Sequence, residues 1–202
     1  MSVSQAQKRV LGSGQSPRDL ADAPRSAIIN AMIPPASNVD IRPAVPSDAA
    51  GIRDLTRAAY SKWVALIGRE PVPMQADYER AVAEHTIDLL IVDGALAGLV
   101  ETILRPDHLW IENVAVAPER QGRGFGRLLL DHAERRTLQA GRPEIRLLTN
   151  RVFAANLELY ARRGYVVDRT EPFRGGTTVH MSKRIEPRDA RAGSAAGAGS
   201  SA

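Results

Sequence analysis

The sequence contains no cysteine. That single absence excludes disulfides, thiolate zinc sites and a cysteine nucleophile, so any acyl transfer by this chain must proceed without an acyl-cysteine stage. Histidine is scarce as well. His85, His108, His132 and His180 never fall at a two-histidine helical spacing of the HExxH kind, and no metal ligand set is visible. The longest apolar runs, such as residues 89–92 and 128–130, fall far short of the roughly 20 residues a membrane-spanning helix needs. Residues 1–38 lack a basic start followed by an apolar run of secretory type, so the expected location is cytoplasmic and no membrane partner is expected. A basic patch is missing too, despite a formal net charge of +4. Residues 1–39 carry four basic and two acidic side chains, residues 183–202 carry four and two, and the stretch between carries nineteen of each. The excess lies in the tails, which argues against a nucleic-acid partner.

What is present has the length of one domain with tails, 202 residues in all. Residues 1–38 mix Ser, Gln, Gly, Pro and Ala without a sustained period and read as a mobile arm, and residues 187–202 form a second disordered segment rich in Ala, Gly and Ser. The folded unit is expected over residues 39–186, with no internal repeat at a fixed period.

Within it, residues 41–44 read as a strand, and Ser47-Asp48 as an N-cap before a helix carrying Ile52, Leu55, Ala58 and Ala59. Two prolines and Gly68 mark residues 63–74 as a loop, with a helix over 75–84. Residues 87–92 and 96–104 are β-rich and flank Asp93-Gly94, a hairpin signal because glycine accepts positive φ. A third run, residues 109–116, pairs with them as a meander. The period then becomes helical over residues 125–140, where Gly141 and Pro143 stop it. A strand over 145–149, a helix over 153–163 closed by Gly164, and strands over 165–167 and 177–181 complete the order. The fold class is α+β: one mixed, mostly antiparallel central sheet with helices on both faces.

The strand over 109–116 runs into Gln121-Gly122-Arg123-Gly124-Phe125-Gly126, and a helix follows at once. Glycines at alternate positions let successive backbone N–H groups converge, and the helix start supplies further unpaired donors, which together make a cradle for an anion. Arg120, Arg123 and Arg127 add charges suited to phosphates. A Rossmann reading wants its third glycine one residue later and an acidic ribose ligand downstream, and a Walker A reading wants Gly-Lys-Ser or Gly-Lys-Thr.

With this turn, the strand Val114-Ala115-Val116 ahead of Pro118, and Asn156, Leu159-Tyr160 and Gly164-Tyr165 behind it, the chain resembles the GNAT superfamily of N-acetyltransferases over roughly residues 41–184. The resemblance implies the GNAT-like acyl-CoA N-acyltransferase fold and acetyl-CoA as cosubstrate, with no metal. It implies that the backbone of Gln121, Gly122, Arg123, Gly124, Phe125, Gly126 and Arg127 holds the pyrophosphate. Val114, Ala115 and Val116 would lie along the pantetheine arm, with Val114 and Val116 pairing with it through their backbone groups. Asn156 would help bind the coenzyme, and Tyr160, one turn on and on the same helix face, would protonate the departing thiolate. The substrate amine must also lose a proton. Glu112, taken by strand alternation to share a face with Val114 and Val116, is the candidate base, with Glu101 on the adjoining strand in reserve and an ordered water as the remaining choice.

Lacking cysteine, the chain is expected to transfer acetyl directly within a ternary complex to a primary amine of a small molecule or peptide. The expected acceptor walls are the region of Tyr60 to Tyr78, with Trp63, Pro71, Pro73 and Met74, and a late loop over 171–178 containing Phe173. The expected assembly is a monomer or homodimer. A noncatalytic module that binds acetyl-CoA remains an alternative reading, as does a scaffold for another nucleotide.

Overall fold

The computed structural model describes residues 38–186. The expected arm, apart from Asn38, and the expected tail lie outside the described residues. Among these, the strands are β1 (Val39–Pro43), β2 (Thr86–Val92), β3 (Ala95–Leu104), β4 (Leu109–Val116), β5 (Glu144–Asn150), β6 (Val166–Phe173) and β7 (Gly176–Arg184). The α-helices are α1 (Ala49–Ile67), α2 (Tyr78–Glu84), α3 (Phe125–Gln139) and α4 (Ala154–Arg162). The strands form one sheet in the order β1-β2-β3-β4-β5-β7-β6, antiparallel at every junction except β4 with β5.

Both faces of the sheet centre are covered, so its strands carry continuous apolar runs. Ile87 and Leu89 face α1 and α2, packing with Ile52, Leu55, Ala59 and Tyr78. Leu90 and Val92 face the opposite way, toward Leu129, Leu130 and Ala133 of α3. The β2–β3 turn has φ 54° at Asp93 and 79° at Gly94, the paired left-handed conformation of a two-residue hairpin.

Four local expectations give way to tertiary structure. Residues 63–67 continue α1, since the breakers come only afterwards: Gly68 caps the helix at φ 69°, and Pro71 precedes a 3-10 turn at Val72–Gln75. The next helix starts at Tyr78 because the Asp77 carboxylate accepts from Arg80 N at 3.0 Å. Asp48 does not cap α1 with its side chain. Its carboxylate receives both Arg42 terminal nitrogens, at 2.7 and 2.8 Å, and Val45 N at 2.8 Å. The loop expected over 171–178 is the end of a hairpin: β6 and β7 run up to Arg174-Gly175, with φ 45° and 76°. Every β6 side chain is exposed, so this edge strand has no buried alternation by which to be recognised.

Asp88 lies on β2 facing α3, where His132 Nε2 stands 2.9 Å and Arg136 Nη1 3.1 Å from its Oδ2. Burial opposes its ionisation and is the largest single influence, but the two neighbours together outweigh it and hold the carboxyl below its usual range. A depressed folded-state pKa stabilises the fold above the unfolded value of about 3.9 and loses that contribution as pH falls through the folded value. Asp88→Asn is therefore expected to lower the urea midpoint at neutral pH, with the gap from wild type closing below about pH 4. Urea titrations at a series of pH values check this.

Candidate active site

β4 and β5 are parallel neighbours only where Leu109–Ile111 lies beside Ile145–Leu147. Beyond that point the strands separate, and Leu148, Thr149 and Asn150 pair with β7 alone. Ala117 N donates to Ala97 O at 2.9 Å, so Ala115 and Asn113 turn their backbone groups toward β3, and Val114 and Val116 turn theirs into the gap. The edge expected at Val114 and Val116 is thus formed. Ala115 is not part of it, because its side chain is buried against the α1 side and its carbonyl lies so close to β3 that a Cβ on Gly98 would stand 2.9 Å from it.

The register of β4 shifts where Glu101 pairs with Asn113 and Thr102 with Ile111, leaving Glu112 as the extra residue of a bulge. Alternation stops there. Leu109 and Ile111 face α3, whereas Asn113 and Ala115 face α1, and Glu112 does not share a face with Val114 and Val116, which pack toward the α3 side. The bulge instead aims Glu112 into a cavity, with Trp110 Nε1 donating to its Oε2 at 2.7 Å. Next to it, Tyr60 OH donates to Asn113 Oδ1 at 2.9 Å, Asn113 Nδ2 to Tyr78 OH at 3.1 Å, and Tyr78 OH to Pro73 O at 2.8 Å. This buried chain of donors ties α1, the 3-10 turn and α2 to the bulge, and with every amide proton used it is rigid. Burial raises the Tyr60 phenol and pushes Tyr78 up to about 12, so both stay protonated donors.

At the far end of β4, Gly122 and Gly124 have φ 76° and 86°, and a Cβ on either would meet no other group within 4 Å. Gly124 is the N-cap of α3 and offers no side chain to its first turn. The helical ladder begins with Leu128 N donating to Gly124 O at 3.1 Å, so the amides before it find no acceptor within the helix. Gly126 lies inside the helix. Gln121 holds the loop with its side chain: Nε2 donates to Val116 O at 2.9 Å and Oε1 accepts from Lys62 Nζ at 2.6 Å. Among the described residues Arg120 and Arg123 have no acidic partner, whereas Arg127 lies 3.8 Å from Asp131.

A cavity of about 270 Å³ extends through the β4–β5 gap from the α1 side to α4. Tyr60 and Glu112 line it on one side, Asn156 and Tyr160 on the other, with Val114 between. Tyr160 is buried, which pushes its phenol up to about 12. Of the expected acceptor walls, Tyr60, Pro71, Pro73, Glu171, Phe173 and Thr178 line the cavity. Trp63 stands behind it, stacked on Phe153 with ring centroids 4.4 Å apart.

The model of the Acetyltransferase (GNAT) family matches residues 51–165. The chain belongs to the GNAT acetyltransferase family. It is an acetyl-CoA-dependent N-acetyltransferase. No curated protein matches it by sequence. Among solved structures, the PaiA N-acetyltransferase from Thermoplasma acidophilum in complex with coenzyme A aligns at TM-score 0.64 and 18% identity, over 73% of this chain and 99% of that one. The ribosomal-protein-S18-alanine N-acetyltransferase from Escherichia coli aligns at 0.59 and 19%, over 77% and 99%. A GNAT family acetyltransferase from Elizabethkingia anophelis with acetyl-CoA bound aligns at 0.54 and 16%, over 73% and 99%. At these identities the likeness establishes the fold.

In this GNAT acetyltransferase the open cradle at Gly122 and Gly124, the uncapped start of α3 and the free edge at Val114 and Val116 fit a diphosphate followed by an extended amide-bearing arm. Sequence reasoning did not find Trp110, Asn113 or the pairing of His85 with Glu101. Trp110 had a signal, two positions before Glu112 on one strand. The other contacts join residues far apart in the chain and had none.

Proposed function

We propose that the enzyme acetylates a primary amine by direct attack, with Glu112 as the base and Tyr160 as the acid. The observation that carries this is the cavity itself, which sets a carboxylate and a buried phenol on opposite sides of the exposed β4 edge. Acetyl-CoA supplies an activated acyl group on a thiol leaving group. The backbone of Val114 and Val116, the amides from Gly122 to Arg127 and the Asn156 side chain are assigned to hold it, with Gln121 and Lys62 setting the loop.

An ammonium has no lone pair, so the acceptor must give up one proton to attack and a second as the amide forms. Glu112 accepts from the amine: Trp110 occupies Oε2 and leaves Oε1 for the substrate. Tyr160 donates to the departing sulfur, and burial keeps its proton in place across the physiological range. One proton is released to solvent per acetyl transferred. With no cysteine present, no acyl-enzyme on sulfur intervenes. The proposal places the enzyme in the cytoplasm, as a monomer or homodimer.

The test is release of free thiol from acetyl-CoA over a panel of primary amines and short peptides. Turnover with at least one amine is expected, and tight binding without turnover on any acceptor would make the protein a noncatalytic module. Glu112→Gln is expected to lower kcat/KM about 100-fold at neutral pH, with the loss narrowing as rising pH deprotonates the amine in solution. A pH–rate profile of the two proteins checks it.

A further inference from the structure

Beside the reaction cavity lies a second one, of about 260 Å³, bounded by α2, the 3-10 turn before it and strands β3 and β4. The two share Val72, Pro73, Glu112 and Asn113 as a common wall, so Glu112 stands at their junction. The second cavity is acidic. Asp77, Glu84, Glu101 and Glu112 line it against Arg80 and His85. Arg80 is already neutralised, its Nε 2.8 Å from Glu84 Oε1, and Asp77 accepts from the Arg80 backbone N–H. Glu101 is 3% exposed. Its Oε1 lies 2.5 Å from His85 Nδ1, and its Oε2 receives no donor among the described residues. A buried carboxylate oxygen left without a donor in a cavity has a standing electrostatic demand for a cation. Burial raises the Glu101 carboxyl, His85 opposes the rise, and Glu112 adds to it, so a positive charge placed between the two carboxylates relieves both. Between the acidic groups the lining is apolar, with Val72, Pro73, Ala76 and Ala81.

We infer that this second cavity binds the far end of the acceptor, and that the preferred acceptor is a small aliphatic diamine or polyamine. One nitrogen lies beside Glu112 for acetylation, the methylene spacer runs along Val72 and Pro73, and the second ammonium rests against Glu101. A monoamine fills only the reaction cavity and leaves Glu101 unanswered. A peptide fits less well, because β3 and β4 pair with each other at Glu101–Asn113 and offer no free strand edge in this cavity. The inference rests on the amine-acetylating reading above.

The experiment compares kcat/KM of the full chain for α,ω-diamines of increasing length with that for monoamines of the same chain length. A diamine preference of about tenfold or more is expected at the best length, falling with added salt as two partly buried charges are screened. Glu101→Gln is expected to erase most of that preference through the diamine KM. Glu84→Gln, at the exposed end of α2, leaves Arg80 uncompensated and is expected to reduce the preference about threefold without touching the buried floor. Tyr160→Phe is expected to lower kcat for both amine classes and to keep their ratio. Turnover of monoamines with no diamine preference overturns this inference and leaves the amine reading standing, as does an equal loss on both classes in Glu101→Gln. Preference for a lysine-containing peptide over every diamine overturns the small-molecule assignment. Failure to acetylate any amine overturns both readings.

Discussion

Gly124→Val is expected to weaken binding of coenzyme A about a thousandfold while the protein remains folded. Gly124 has φ 86°, a conformation that a β-branched residue adopts only at a cost of about 1–3 kcal/mol. A Cβ there meets nothing within 4 Å, so the variant creates no clash inside the protein. The damage falls on the cradle: the backbone relaxes toward negative φ and turns the amides away, and the new methyls occupy the space assigned to the phosphates. Losing convergent donors to a doubly charged diphosphate on top of the strain accounts for about 4 kcal/mol, which is a thousandfold in affinity. Gly141, at φ 63° just after α3 and equally open, supplies the control. Gly141→Val should cost similar stability and leave coenzyme affinity intact. Isothermal titration of both variants, with thermal unfolding alongside, decides the matter. Wild-type affinity in Gly124→Val would remove the glycine turn from the binding site.

Tyr160→Phe should reduce kcat about a thousandfold with little change in the KM for acetyl-CoA. General-acid assistance to a leaving group supplies about 10²–10⁴ in rate. The phenol is buried on α4, lines the cavity opposite Glu112, and makes no hydrogen bond to another described residue, so its proton is uncommitted. Replacement by phenylalanine preserves the packing with Tyr165, whose ring centroid is 5.8 Å away, and removes only the donor. Since burial lifts this phenol to about 12, the acid form persists through neutral and mildly alkaline pH. The wild-type kcat should therefore show no falling alkaline limb from Tyr160 below about pH 11. Stopped assays at saturating substrates over a pH series measure both effects. Full turnover in the phenylalanine variant would take the acid role away from Tyr160.

How far the site was legible in the sequence depended on the range of the forces that form it. The turn at Gln121 to Gly126 could be read because positive φ at Gly122 and Gly124 is a demand made within a few residues. The Asp93-Gly94 hairpin was readable for the same reason. Asn156 and Tyr160 were placed together by helical spacing alone, and they line one cavity. The face of Glu112 was misread because a bulge is a property of two strands. One extra residue against β3 reverses the alternation, and nothing in residues 109–116 by themselves announces it. β6 was underestimated because its side chains are all exposed and its stability comes from pairing with β7.

By itself the amino-acid order determined the chain's punctuation: where glycine and proline turn it, which stretches have helical or strand period, and that an anion cradle stands between a strand and a helix. These are consequences of backbone sterics and local burial, settled within a turn or two. Tertiary structure alone decided that β4 and β5 separate after Ile111, that the bulge carries Glu112 onto the face of Asn113, and that Glu101 meets His85 beneath a second cavity. Each of these depends on strand register and on contacts between residues distant in sequence, which exist only once the sheet has closed on its helices.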